Sequence, residues 1–172
     1  MNKKIIISAL AVSVLCSCSS YRGDDSLSAS KSATFALIPF ANHSNTPMAS
    51  ENVQAIVSSE LKAKAVKTLC YNSEVEATDL KSLLDDEFDR KQALQWLDKV
   101  EYNYVITGSV DEWNYKAGLD GEPVVGITIE IRDRSGRTVY QKTGTRSGFG
   151  RESLNYAGQK VVSNILDDIN LN

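Results

Sequence analysis

A single-domain α/β sandwich, with one mixed and mostly antiparallel sheet covered by about three helices, is what this 172-residue sequence predicts. Three features carry the prediction. The first half alternates apolar strand-like runs with segments of helical periodicity, the second half holds three long alternating runs, and the last segment returns to helical spacing. The order that results, β-α-β-α-β-β-β-α, is satisfied by laying helices on a sheet around one core. A hydrophobic content of 42% and a charged content of 24% are those of an ordinary globular chain.

The elements follow in order. Ala33 to Phe40 (ATFALIPF) is nearly continuous in apolar residues, as a central strand is. Thr46-Pro47 offers a helix N-cap with proline at the first helical position, and Val53, Ile56, Val57 and Leu61 continue at helical spacing, so a helix is expected over Pro47 to Ala65. A short strand is expected over Val66 to Tyr71, and a loop with some helical turns over Asn72 to Asp85. Asp86 to Val100 reads as a second helix, with Phe88, Leu94, Trp96 and Leu97 as its apolar positions.

Tyr102 to Tyr115 (YNYVITGSVDEWNY) alternates and is rich in strand formers. Val124 to Asp133 alternates too, with Val125, Ile127, Ile129 and Ile131 on one face. The turn Arg134-Ser135-Gly136-Arg137 leads into a returning strand, Thr138 to Ser147, so the pair is a hairpin. Arg151 to Ile169 closes the chain as a helix, with Leu154, Val161, Val162, Ile165 and Ile169 facing inward.

The N-terminus reads as an address. Residues 1–17 place Lys3 and Lys4 before an apolar run, Ile5 to Leu15, which is too short to span a bilayer comfortably. Leu15-Cys16-Ser17-Cys18 resembles the lipobox of bacterial lipoproteins, with Leu at −3, a small residue at −1 and Cys18 at +1. Cys18 is the expected lipidation site, and acyl chains there would tether the protein rather than span the membrane. Ser19, rather than Asp, follows the cysteine and is compatible with onward passage to the outer membrane. Residues 18–32 are polar and small and read as a flexible tether, which leaves residues 33–172 as the folded domain.

Loss of Lys3 and Lys4 with the signal takes the formal net charge from −3 to −5. No basic patch suggests nucleic acid as a partner. Cys70 remains as the one cysteine of the domain, read as a small buried hydrophobe. The single histidine, His43, sits in a polar loop with no nucleophile elbow near it, and one His with one free Cys makes no credible zinc site. Gly144 to Arg151 (GTRSGFGR) lacks the Lys-Ser/Thr pair of a phosphate loop. The acids of Asp85-Asp86-Glu87 and Asp89 sit at a helix start, where the macrodipole favours them. Neither an enzyme nor a cofactor is expected.

One long stretch is more specific. Val110 to Gly126 (VDEWNYKAGLDGEPVVG) resembles the signature of the PelC family, the outer-membrane lipoproteins of the Pel exopolysaccharide secretion system. Ala36-Leu37-Ile38-Pro39, Asn42, Thr46-Pro47 and Arg146-Ser147-Gly148 agree with it in order. The resemblance implies a ring of identical protomers, dodecameric in the family, on the periplasmic side of the outer membrane. There it would sit beneath a β-barrel exporter of the PelB type, guiding a cationic, amino-sugar-rich polysaccharide to the pore with an acidic face.

On that reading Asp120 and Glu122, in the turn Leu119-Asp120-Gly121-Glu122-Pro123, are the first candidates for the funnel acids, with Asp111 and Glu112 next. The same carboxylates also fit an ordinary surface turn. Phe149 stands where the family places an aromatic, typically tryptophan, directed at the membrane; Arg146 and Arg151 would face headgroups, while packing of Phe149 on a neighbouring protomer is the competing reading. Tyr115 and Lys116 are candidates for the protomer interface, and Trp113 for interface or core. An alternative function is a monomeric lipoprotein adaptor that regulates a periplasmic cell-envelope enzyme.

Overall fold

The computed structural model describes residues 18–72, 86–117, 121–148 and 152–172. β1 (Cys18–Gly23), β2 (Leu27–Ala29), β3 (Thr34–Leu37) and β4 (Ala41–Asn42) precede helix α1 (Ala49–Ala63). β5 (Lys67–Cys70) and α2 (Asp86–Leu97) follow, then β6 (Tyr104–Tyr115), β7 (Pro123–Asp133), β8 (Thr138–Ser147), α3 (Leu154–Leu166) and β9 (Ile169–Leu171). Seven strands form one sheet in the order β1-β8-β7-β6-β3-β5, with β4 also on β6. The β6–β7–β8–β1 part is antiparallel, whereas β3 lies parallel to both β5 and β6. The expected α/β architecture with a mixed, mostly antiparallel sheet is the one observed, with three helices among the described residues.

Alternation sorts the side chains to two faces. Phe35, Leu37, Ile106, Val110, Val125, Ile127, Ile129 and Ile131 point toward α1 and α3 and form the main core with Val53, Val57, Leu61, Val161, Val162 and Ile165. Ala36, Ile38 and Val105 point the other way, where α2 covers them with Ala93 and Leu97. Of the apolar positions expected for α2, Leu97 is buried and Trp96 half-buried, whereas Phe88 and Leu94 are 39% and 55% exposed. One buried stripe of small and branched residues suffices for a helix that covers only one corner of the sheet.

Two glycines set the spacing of the main layer. A Cβ on Gly158 of α3 would sit 2.5 Å from the Trp113 ring, so its absence lets the helix close onto the indole. A Cβ on Gly144 of β8 would meet the Tyr21 ring at 2.7 Å and Val161 at 2.8 Å.

Four local expectations change. Residues 18–32 are not a free tether: β1 pairs antiparallel with β8 over its whole length, and β2 pairs parallel with β9. The backbone, not an apolar pattern, makes those bonds, which is why the polar composition hid them. Second, α1 begins at Ala49 after Met48 in the left-handed region (φ 60°), with no side-chain cap. Thr46 is used elsewhere, its hydroxyl donating to the Trp113 carbonyl. Third, α1 stops at Ala63, short of the expected Ala65, which follows the C-cap Lys64 at φ 56° while the Val66 N–H reaches the Leu61 carbonyl at 3.0 Å, a left-handed C-terminal turn usually given to glycine. Finally, α3 stops at Leu166, and Ile169 belongs to β9, where it faces Leu27. The loop expected after Asn72 lies outside the described residues.

Candidate functional site

The residues singled out by the long motif lie along the second half of β6 and at its end. β6 and β7 slip register between Val110 and Glu112, so Asp111 is an extra residue opposite no partner of its own. Such a bulge re-aims its side chain. The Asp111 carboxylate accepts from the Ser109 hydroxyl at 3.0 Å and the Thr128 hydroxyl at 3.2 Å, and His43 Nδ1 lies 3.2 Å from it. Thr128 in turn shares a hydrogen bond of 2.9 Å with Thr143. The His43 and Asp111 side chains are 63% and 43% exposed, so this is a solvated polar ladder on the sheet face that α2 leaves uncovered. A His–Asp pair with neighbouring hydroxyls here holds no buried nucleophile. Glu112 is exposed on the same strand.

Glu122 begins the return into β7. Its carboxylate is 3.3 Å from Lys116 Nζ, and the Lys116 N–H donates to its backbone carbonyl at 2.8 Å, closing the turn. Lys116 Nζ also donates to the Ser147 hydroxyl at 2.7 Å. Lys116 therefore ties the β6–β7 turn to the end of β8 within one chain. Tyr115 remains half exposed, and its hydroxyl accepts the Leu154 N–H at the start of α3. Trp113 departs from the interface expectation: it is 2% exposed and packed beneath Gly158, so it is a core residue with no surface to offer a second chain. Asp120 lies outside the described residues.

Arg146 also departs from its expected role. Its guanidinium makes contacts of 3.0 to 3.2 Å with both carboxylate oxygens of Glu152, and both side chains are only 10% exposed. It further donates to the Ser19 hydroxyl at 3.2 Å. A guanidinium held in this fork is not available to headgroups; it pins the β8–α3 junction and the start of β1 instead. Phe149 and Arg151 lie outside the described residues. Sequence reasoning missed Glu152 as Arg146's partner and Ser147 as the residue that Lys116 and Cys18 share. No spacing rule links Glu152 to Arg146 ahead of α3, and only the register of β1 on β8 sets Cys18 opposite Ser147.

Cys18 is exposed and opens β1 directly across from Ser147. Tyr21 is the one side chain of β1 that packs inward, and its burial pushes its phenol up from the ordinary tyrosine value. Cys70, read as buried, is half-buried with its sulfur 3.4 Å from the Ser58 hydroxyl. Among the described residues no three His, Cys, Asp or Glu side chains gather as a metal site, and no helix is long and apolar enough to cross a membrane.

Comparison with known proteins places this geometry. A solved dodecamer of a PelC point variant from Paraburkholderia phytofirmans superposes with a TM-score of 0.75 at 27% identity, covering 90% of this chain and 100% of that one. The PelC dodecamer from the same organism in another crystal form gives 0.72 at 28% identity, over 88% and 96% of the two chains. Lipoprotein GNA1162 from Neisseria meningitidis shares the fold at a TM-score of 0.52 and 15% identity, over 78% and 99%. No family model and no curated protein matches the chain.

Proposed function

We propose that this chain, which is PelC-like in sequence and fold, is a ring-forming lipoprotein of a Pel-type exopolysaccharide export apparatus and does no chemistry of its own. The observation that carries the reading is the likeness to dodecameric PelC, at more than a quarter identity, over nine-tenths of the chain. In this proposal Cys18 carries the lipid, the outer membrane holds the chain on its periplasmic face, and a β-barrel of the PelB type is the partner above the ring.

The electrostatics suit a conduit. A protomer of formal charge −5, repeated around a ring, concentrates negative potential at the mouth and raises the local density of a polycation. The exposed carboxylates of Asp111 and Glu112 carry that field on β6, whereas Lys116 offsets part of the Glu122 charge. Asp120 keeps its proposed place beside them. Solvated acids interact weakly with any one amine, which lets a chain slide past. Phe149 and Arg151 are retained as membrane contacts of the proposal, and Arg146 is not. Tyr115 and the solvent side of Lys116 are the proposed protomer contacts.

Deletion of the gene in its host tests the reading. Surface polysaccharide bearing free amines should disappear and return with the wild-type gene. Undiminished surface polymer in the deletion strain contradicts the proposal.

A further inference from the structure

We propose that β9 is the clamp of an N-terminal strap: its pairing with β2 is what keeps the strand β1 docked on the sheet. The consequence for the membrane, a lipid anchor on a stiff mount, rests on the reading above, which puts the lipid on Cys18.

β1 has little of its own to stay docked with. Five of its six side chains are exposed, and the sixth, Tyr21, is half-buried. Such an edge strand exchanges hydrogen bonds to water for hydrogen bonds to β8, and the small net gain stands against the entropy of ordering the segment. The apolar seal of the strap lies further along. Leu27 and Ala29 of β2 are 8% and 5% exposed, and they enter the main core together with Ile169 of β9. β2 and β9 form a two-stranded sheet of their own. Past it, the Asn172 N–H donates to the Ala29 carbonyl at 2.9 Å and the Lys31 N–H to the Asn172 carbonyl at 3.0 Å. β9 thus supplies backbone partners to a segment that its side chains bury.

The bend between β1 and β2 transmits that hold. Gly23 faces Lys142 of β8, and the Lys142 ammonium donates to the carboxylate of Asp168, the residue that leads into β9. The Asp168 carbonyl in turn accepts the Leu27 N–H at 3.0 Å. Asp24 closes the bend from the other side: its N–H donates to the Gln141 carbonyl at 2.9 Å, and its carboxylate accepts the Gln141 N–H at 2.7 Å. Gly23 sits at φ 142°, and a Cβ there would lie 2.1 Å from the Gln141 oxygen, so the turn needs glycine to run this close to β8. With β2 fixed and only Asp24 to Ser26 between the strands, β1 is kept beside β8 at a high effective concentration. The strap opens and closes as one unit, and the strand that closes it is made after every other element.

Hydrogen exchange of the mature protein in mild detergent tests the clamp. Two variants loosen it from opposite sides: a stop codon after Asp168, which removes β9, and Leu27→Ser, which unseats β2. Each should speed exchange in β1 at least tenfold and leave β6 and β7 as protected as in the wild type. Gly23→Ala, which breaks the bend and spares the clamp, should free β1 while β2 stays protected. A β1 that keeps its protection after β2 has lost its own overturns the proposal. If the truncated chain loses protection throughout the sheet, Leu27→Ser decides by the same outcomes, and loss throughout in both variants overturns the clamp by making β9 part of the core. The mass of the N-terminal peptide from the same digest reads the acyl chains on Cys18; their absence contradicts the lipid assignment and leaves the clamp to the exchange data.

Discussion

Cys18 faces Ser147 across the β1–β8 pair, and Ser147 accepts a 2.7 Å hydrogen bond from Lys116 of the β6–β7 turn. The cysteine proposed to carry the lipid is therefore part of the sheet. No slack chain separates it from the domain, so the anchor fixes the height and tilt of the end of the sheet where β1 starts, β8 stops and the β6–β7 turn closes.

That arrangement predicts the effect of restoring a tether. Ten Gly/Ser residues inserted between Cys18 and Ser19 add a flexible span of about 17 Å. In nanodiscs carrying headgroup nitroxide lipids, a fluorophore at Lys116→Cys should be strongly quenched without the insertion and much less with it. The label goes into a Cys70→Ser background so that it has one site. Equal quenching in both proteins contradicts a sheet-held anchor.

Gly158→Ala tests the closeness of α3 to the sheet. The new methyl would meet the Trp113 ring at 2.5 Å in a packed core, and overpacking of this kind costs about 1–3 kcal/mol. A lower urea midpoint with an unchanged slope is expected, and full stability shows that the indole has another place to go.

The Arg146–Glu152 pair offers a sharper loss. Both side chains are 10% exposed in the pair, and taking the guanidinium away from Glu152 with Arg146→Ala should cost about 3–5 kcal/mol. Hydrogen exchange should rise at the start of β1 and at the β8–α3 junction before it rises at β3. A variant as stable as the wild type contradicts the structural assignment and reopens a headgroup role for Arg146.

How much of this was legible in the sequence depends on what each element uses. α1, β6, β7 and β8 bury one face apiece, so Val53-Ile56-Val57-Leu61 and Val125-Ile127-Ile129-Ile131 announce their periods. β1 buries only Tyr21 among polar neighbours and is held by backbone bonds, so nothing in CSSYRG distinguishes a strand from a tether. The motif around Trp113 was visible, but its roles were not: spacing puts Trp113 near the acids, and only Gly158, far along the chain, turns it into a core residue. Arg146 looked like a free cation because its partner Glu152 belongs to neither β8 nor α3, so no strand or helix spacing pairs them.

Acid titration should expose one further pair. The Arg132 guanidinium, hydrogen-bonded at 2.7 and 2.9 Å, holds the Glu130 carboxyl below its ordinary value, with the Thr138 hydroxyl assisting. A carboxylate lowered on folding adds stability above its unfolded pKa, and that contribution is lost as pH falls through the lower folded value. Glu130→Gln should therefore cost stability at pH 7 and little near pH 2, flattening the acid side of the urea-midpoint curve. Parallel curves for the two proteins contradict the coupling.

The central claim is an assembly, and the most direct measurement is the native mass of the mature, lipidated protein in mild detergent. The account predicts one discrete species of about a dozen protomers, as in the PelC dodecamers it resembles. A clean monomer, in detergent and again in lipid nanodiscs, contradicts it and leaves a tethered adaptor as the function to pursue.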